Sequence, residues 1–196
     1  MIVLVTGGAG YFGTVLRQRL LARGASVRTF DLVRPDDLAA GEEAVQGDIR
    51  DAAAIAAACR GVSIVHHNVA QVPLAKDRHL FESVNVQGTE NLLSGARAAG
   101  VRKVVYTSSS AVFGAPASNP VTEETPPSPA EAYGRAKYEG ERRCQAYVAQ
   151  GLDVSIVRPR TIAPLWAAVS IPRASPLVTV KPFAASSLLI VSAICL

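Results

Sequence analysis

This sequence has little of what marks a secreted, metal-binding or membrane-embedded chain. Its 196 residues include three cysteines, Cys59, Cys144 and Cys195. They are odd in number, far apart and without ligand spacing. That excludes a disulfide framework and suits a reducing compartment. Histidine is equally scarce, and His66 and His67 are adjacent. Neighbours on a strand point to opposite faces, so no metal site is expected from this pair. Charged residues make up 18% of the chain, with a net charge of +4. The excess lies mostly at one end: residues 1–150 carry a net +1 and residues 151–196 a net +3. There is no basic stripe with interleaved aromatics, so nothing points to nucleic acid. The final apolar run, Phe183 to Leu196, spans 14 residues. That is shorter than the roughly 18 needed to cross a bilayer. The opening residues read as a strand and not as a charged, apolar leader, so the expected location is cytoplasmic.

What is present is a turn. Ile2-Val3-Leu4-Val5 reads as a buried strand, and Val15, Leu16, Leu20 and Leu21 recur at helical spacing. Between them lies Thr6-Gly7-Gly8-Ala9-Gly10-Tyr11-Phe12-Gly13. In such a turn Gly7 makes the bend, Gly10 lets the backbone approach a pyrophosphate, and Gly13 lets helix and strand pack closely. The helix start then offers its dipole to the phosphates. A second strand, Val27 to Phe30, ends in Asp31. An acidic residue about 20 positions past the turn is placed to hold the adenosine ribose. A third strand, from Ala44, brings Asp48 and Ile49 to the edge where open α/β sheets bind ligands. Strand and helix then alternate: Ala52–Cys59 helix, Val62–His67 strand, Leu80–Ala99 helix, Val101–Thr107 strand, Glu131–Gln150 helix, Asp153–Val157 strand. The expected fold is a doubly wound parallel sheet of the Rossmann type, strand order 3-2-1-4-5-6 by analogy. Between Pro116 and Pro129, five prolines mark a surface loop.

Two further groups carry chemistry. Thr107-Ser108-Ser109-Ser110 ends the fifth strand, and Tyr133-Gly134-Arg135-Ala136-Lys137 opens the last long helix. Tyr133 and Lys137 are four apart and share a helix face. A lysine ammonium beside a phenol favours the phenolate by about two to three pKa units, before its own desolvation is subtracted. Such a pair can move a proton on a substrate hydroxyl or carbonyl, with a serine sharing the oxygen. Taken alone, both features occur by chance in many proteins.

In their order, these motifs resemble the extended short-chain dehydrogenase/reductases, the NAD-dependent epimerase/dehydratase family. The glycine turn is joined by Gly47-Asp48-Ile49-Arg50-Asp51, by Asn85-Val86-Gln87-Gly88-Thr89, by Tyr106 to Gly114, by Tyr133 to Lys137 and by Arg158-Pro159. The resemblance covers about residues 1–165. It implies NAD as cofactor, Ser109, Tyr133 and Lys137 as the catalytic group, and Asn85 as chiefly structural. It also implies cofactor contacts from Gly7, Gly10, Tyr11, Phe12, Gly13, Asp31, Asp48, Ile49, Val69, Ala70, Tyr133 and Lys137. The implied partner is a small molecule, foremost a nucleotide sugar, and the full-length protein would form a homodimer. Ser110-Ala111 stands where the family's dehydratases carry an Asp-Glu pair, which argues against sugar dehydration. Val69 stands where the family often has Ala and would narrow the cofactor channel.

Three functions follow. The first is a nucleotide-sugar epimerase with Tyr133 as base. The second is a hydroxysteroid- or flavonol-type dehydrogenase of the same family. The third is a cofactor-binding fragment without turnover. That third reading comes from residues 166–196, which depart from the family's C-terminal substrate domain. The final apolar run within them, Phe183 to Leu196, fits a packed terminal helix or strand, a membrane-touching tail, or non-native sequence from a truncated or shifted frame, and the pattern favours the last. Without a substrate domain, Ser109, Tyr133 and Lys137 would face open water, and the expected result is weak NAD binding with little turnover.

Overall fold

The computed structural model describes residues 1–72, 77, 79–116, 120–122 and 124–160, and the backbone of 188–191. The elements are β1 (Ile2–Thr6), α1 (Tyr11–Ala22), β2 (Ser26–Asp31), β3 (Glu43–Gln46), α2 (Ala52–Ala58) and β4 (Val62–His67). A π-helical turn (Phe81–Gln87) then runs into α3 (Gly88–Ala98). After it come β5 (Lys103–Thr107), a 3-10 turn (Ser110–Phe113), α4 (Ala132–Val148), β6 (Val154–Val157) and β7 (Leu188–Val191). The strands form one sheet in the order β3-β2-β1-β4-β5-β6-β7, and every pair is parallel. This is the expected order with a seventh strand beside β6. The expectation for residues 166–187 and 192–196 lies outside the described residues.

Strand side chains alternate between two apolar layers. On one face Leu4, Phe30, Val65, Val104, Tyr106 and Ile156 pack with Ile55 of α2, Leu92 and Leu93 of α3 and Cys144 of α4. On the other, Val3, Val5 and Val27 pack with Leu16, Leu20 and Leu21 of α1. Full burial of such side chains stabilises by about 1.5–3 kcal/mol each. The chain winds one way from β1 to β3 and the other way from β4 onward. The reversal leaves a crevice at the C-terminal ends of β1 and β4.

Local rules set the helix ends. Asp51 caps α2, its carboxylate accepting from the N–H groups of Ala53 and Ala54 at 2.9 and 3.0 Å. Gly100, at φ 71°, ends α3, and the Val101 N–H closes back onto the Ala96 carbonyl at 2.9 Å. The expected single helix from Leu80 to Ala99 is corrected in its first half, which is wound as a π-helix. There the Thr89 hydroxyl donates to the Asn85 carbonyl at 2.7 Å, a side chain set into the backbone ladder. Asn85 is itself fully buried and ties down the neighbouring strand exit. Its side-chain amide accepts from the Gln71 N–H at 2.7 Å and donates to the Gln71 carbonyl at 3.0 Å.

Candidate active site

The turn after β1 is built for close approach. Gly7 sits at φ 69° and the Gly10 N–H returns to its carbonyl at 3.2 Å. A Cβ on Gly13 would collide with the Gly7 carbonyl, so α1 starts directly against the turn. Gly10 caps α1 without a side-chain bond, and the first turn, with Tyr11 and Phe12, holds no acidic residue. The first turn of the helix thus offers its N–H groups and positive dipole end to an anion with no acidic side chain of its own in the way. Asp31, at the end of β2, accepts the Ala9 N–H at 3.0 Å on one oxygen and the Val33 N–H at 3.3 Å on the other. Asp48 lies farther along the same edge. The Arg50 guanidinium bonded to it holds its carboxyl below the usual range. Ile49 turns its side chain into the core beneath Gly88, and its carbonyl accepts from Asn91 at 3.1 Å. These residues fit a dinucleotide: a glycine turn for phosphates, with carboxylates for ribose and base at the neighbouring strand ends.

Across the crevice, β4 and β5 are joined at their tips. The Thr107 hydroxyl donates to the Asn68 side-chain carbonyl at 2.7 Å. The N–H groups of Asn68 and Val69 both donate to the Thr6 hydroxyl, at 3.1 and 3.4 Å, which puts Val69 and Ala70 beside the glycine turn. Buried His67 completes the seam. The proton of Thr89 is spent on Asn85, so His67 Nε2–H donates to Thr89 at 3.1 Å. Its Nδ1 then accepts the Thr6 hydroxyl at 2.8 Å. Burial first, then the nearby Lys137 charge, lowers His67 to about 3, so the ring is neutral. His66 is also lowered by burial. Among the described residues no three His, Cys, Asp or Glu side chains gather as a metal site.

The three serines part company. Ser108 is buried, and its hydroxyl donates to Glu141 at 2.6 Å. Ser109 caps the 3-10 turn, accepting the Ala111 N–H at 3.1 Å, and it stands beside the Tyr133 hydroxyl. Ser110 opens that turn. Gly134 lets α4 touch the Ala111 carbonyl, where a Cβ would stand at 2.5 Å, and so brings Tyr133 to Ser109. Phe81 of the π-helical turn meets Tyr133 edge-on at 6.2 Å. Lys137 is buried at 2% exposure, and its ammonium donates to the Thr107 carbonyl at 2.8 Å over the Tyr106 ring. Burial lowers Lys137 to about 8.

Two expectations are corrected here. Lys137 does not face open water: α4 and β5 enclose it. Nor does its charge pull Tyr133 down. Burial raises the Tyr133 hydroxyl above its ordinary value, and the Ser109 side chain beside it works against that rise. The ammonium is directed at the Thr107 carbonyl instead.

Two buried ion pairs were not anticipated from the sequence. Arg17 of α1 lies under the glycine turn, with Nε donating to the Gly8 carbonyl at 2.8 Å and the rest of the guanidinium on Glu42 and Asp37. Arg158, after β6, grips Glu141 of α4 through Nε at 2.9 Å and a terminal nitrogen at 2.6 Å. It also stacks on Phe113 at 4.9 Å. The sequence signals were slight: Arg17 shares a helix face with Leu20 and Leu21, and Arg158 stands in the Arg158-Pro159 pair.

Comparison with known proteins gives a consistent picture. The model of the NAD dependent epimerase/dehydratase family matches residues 3–163. The uncharacterized protein y4nG of Sinorhizobium fredii is 56% identical over 160 residues, 81% of this chain and 40% of that protein. Sterol demethylase protein B of Methylococcus capsulatus is 41% identical over 177 residues, 85% of this chain and 53% of that protein. The chain thus spans about half the length of these curated relatives. A short-chain dehydrogenase/reductase superfamily protein from Agrobacterium tumefaciens, solved with bound NAD, aligns at 39% identity and TM-score 0.75, over 81% of this chain and 49% of that one. UDP-glucose 4-epimerase of Thermus thermophilus, in complex with NAD, aligns at 32% identity and TM-score 0.76, over 81% and 55%. Among the described residues no helix is long and apolar enough to cross a membrane.

Proposed function

The chain belongs to the NAD-dependent epimerase/dehydratase family, and from that premise we propose that it is the cofactor- and proton-handling part of a nucleotide-sugar epimerase. The observation that supports this reading is that Tyr133 of α4 stands beside Ser109 at the end of β5, with Lys137 one turn along the same helix and bonded to the Thr107 carbonyl, at the sheet edge that also holds the glycine turn. NAD, when bound, supplies a hydride acceptor and donor. Gly7, Gly10 and Gly13 with the start of α1, including Tyr11 and Phe12, hold its phosphates. Asp31 holds the adenosine ribose, Asp48 and Ile49 border the base, and Val69 and Ala70 border the path between the two ends.

The side chains divide the proton work. Ser109 donates to the substrate oxygen and fixes it beside Tyr133. Tyr133 takes the hydroxyl proton as the alcohol carbon is oxidised and gives it back when the keto carbon is reduced. Its raised pKa suits the second step, because a firmly held proton is ready to be donated to a carbonyl. Lys137 anchors the end of β5 through Thr107 and keeps donors for the nicotinamide ribose, since an ammonium has three and Thr107 takes one.

A second reading is a dehydrogenase of the hydroxysteroid type, favoured by the 44% identity over 119 residues to a 3 beta-hydroxysteroid dehydrogenase/Delta 5-->4-isomerase of Mycobacterium tuberculosis. The two differ in what happens to the cofactor. An epimerase recycles NAD and retains it; a dehydrogenase releases it each turn. The purified chain is denatured and the released nucleotide quantified. It is also assayed for interconversion of UDP-glucose and UDP-galactose and for NADH formation on a 3-hydroxysteroid. Retained NAD with sugar interconversion supports the epimerase. NADH accumulation on the sterol supports the dehydrogenase. NAD binding with neither activity leaves the non-catalytic reading.

A further inference from the structure

The Gly8 carbonyl and the Ala9 N–H belong to one peptide unit at the centre of the glycine turn. Each end of that unit is held by a charged side chain. Arg17 Nε donates to the carbonyl at 2.8 Å, and Asp31 accepts the N–H at 3.0 Å. The peptide is therefore gripped along its dipole, by a cation at its negative end and an anion at its positive end. Gly8 makes this possible. A Cβ there would collide with the Thr29 side chain and stand 3.2 Å from Arg17 Cδ, so only glycine leaves the channel through which Arg17 passes.

Arg17 is itself fixed. It is 1% exposed on α1, yet its guanidinium is fully engaged. One terminal nitrogen binds both oxygens of Glu42 at 2.7 and 2.8 Å, and the other binds Asp37. The Glu42 side chain has no exposure and is further held by the Thr29 hydroxyl at 3.0 Å and the Ala39 N–H at 3.2 Å. The loop after β2 is thus bound through Arg17 to the turn after β1. Three glycines in four residues give that turn great freedom, and ordering it costs backbone entropy. Charge-assisted bonds are about twice as strong as neutral ones and offset that cost in advance.

We infer that Arg17 is a positioning residue for the phosphates of a dinucleotide, acting through the Gly8–Ala9 peptide, with Glu42 and Asp37 holding it in place. The inference rests on the dinucleotide reading of the turn. It confines the effect of Arg17 to the phosphate-bearing part of the ligand, because the ribose and base are met by other residues.

The test uses the full chain and two ligands, ADP-ribose by calorimetric titration and adenosine by ligand-observed NMR. Arg17→Met removes the charge. Arg17→Met combined with Glu42→Gln also removes the carboxylate left behind and serves if the single variant does not fold. Thermal unfolding verifies that the variants compared are folded. The expected result is an ADP-ribose Kd raised about tenfold or more, the scale of one charge-assisted bond, with the adenosine Kd within about twofold of native. Equal weakening of both ligands, or no change in either, assigns Arg17 a purely structural role and overturns the inference. Failure of the native chain to bind ADP-ribose overturns the dinucleotide reading itself, and this inference with it.

Discussion

The two halves of the sheet place a buried Arg–Glu pair in the same position relative to function, but they use it differently. In the half formed by β1 to β3, Arg17 reaches past Glu42 to a backbone carbonyl of the glycine turn. In the half formed by β4 to β6, Glu141 reaches past Arg158 to the hydroxyl of Ser108, next to the serine that meets Tyr133. The first pair orders a backbone made flexible by glycine. The second ties a strand end to the middle of α4. On the proposed reading, cofactor recognition rests on backbone conformation and proton transfer on side-chain placement. Substitutions in the two halves should be separable.

The strongest break is Tyr133→Phe, tested in the enzyme with its substrate. Removing the proton carrier is expected to lower turnover by about a hundredfold to ten-thousandfold. The NAD affinity should stay near native, because the ring and its contact with Phe81 remain. Steady-state rates together with NAD titration check it, and near-normal turnover would remove Tyr133 from its role. Lys137→Ala should lower both, since Lys137 holds the end of β5 and is proposed to hold the ribose.

Next comes Glu141→Ala, which leaves Arg158 buried without its partner and Ser108 without its acceptor. Losing one member of a buried pair costs about 3–5 kcal/mol. Urea unfolding should show that loss, and a change below about 1 kcal/mol would place the pair in water instead. Asp31→Ala acts on the other half. It removes charge-assisted bonds worth about 1.5–3 kcal/mol, so NAD should bind more weakly and the preference for NAD over NADP should shrink. Titration with both cofactors reads this directly.

At neutral pH the smallest effect is that of His67, which appears only as the pH falls. His67 is held neutral with a folded pKa of about 3, against 6.5 ordinarily. Between those values the unfolded chain binds more protons than the folded one. The stability His67 contributes is therefore complete above about pH 6.5 and is lost as pH falls toward 3. Unfolding free energies across this window should fall less steeply in His67→Asn than in the native chain.

Much of this was legible in the sequence because it is local. Gly7 and Gly13, the strand ending at Asp31 and the Tyr133–Lys137 spacing depend on neighbours in the chain. What was not legible depends on distance. Arg17 and Glu42 are 25 residues apart, and Glu141 and Arg158 are 17 apart. No helical or strand period joins them, and an arginine on α1 reads as a solvated residue until Gly8 is seen to make room for it. The same holds for the serines. Three in a row are alike in sequence, and only the position of Glu141 commits Ser108 to the core and leaves Ser109 toward Tyr133. The direction of the Tyr133 shift was not legible either, because spacing shows a nearby lysine but neither the burial of the Tyr133 ring nor the carbonyl that the lysine is turned to.

The most direct test of the central claim is calorimetric titration of the native chain and Tyr133→Phe with NAD and with NADP. If the two halves are separable as described, both chains bind NAD with the same affinity, and each binds NADP more weakly. Tighter binding of NADP than NAD by the native chain, or loss of NAD binding in Tyr133→Phe, would contradict it.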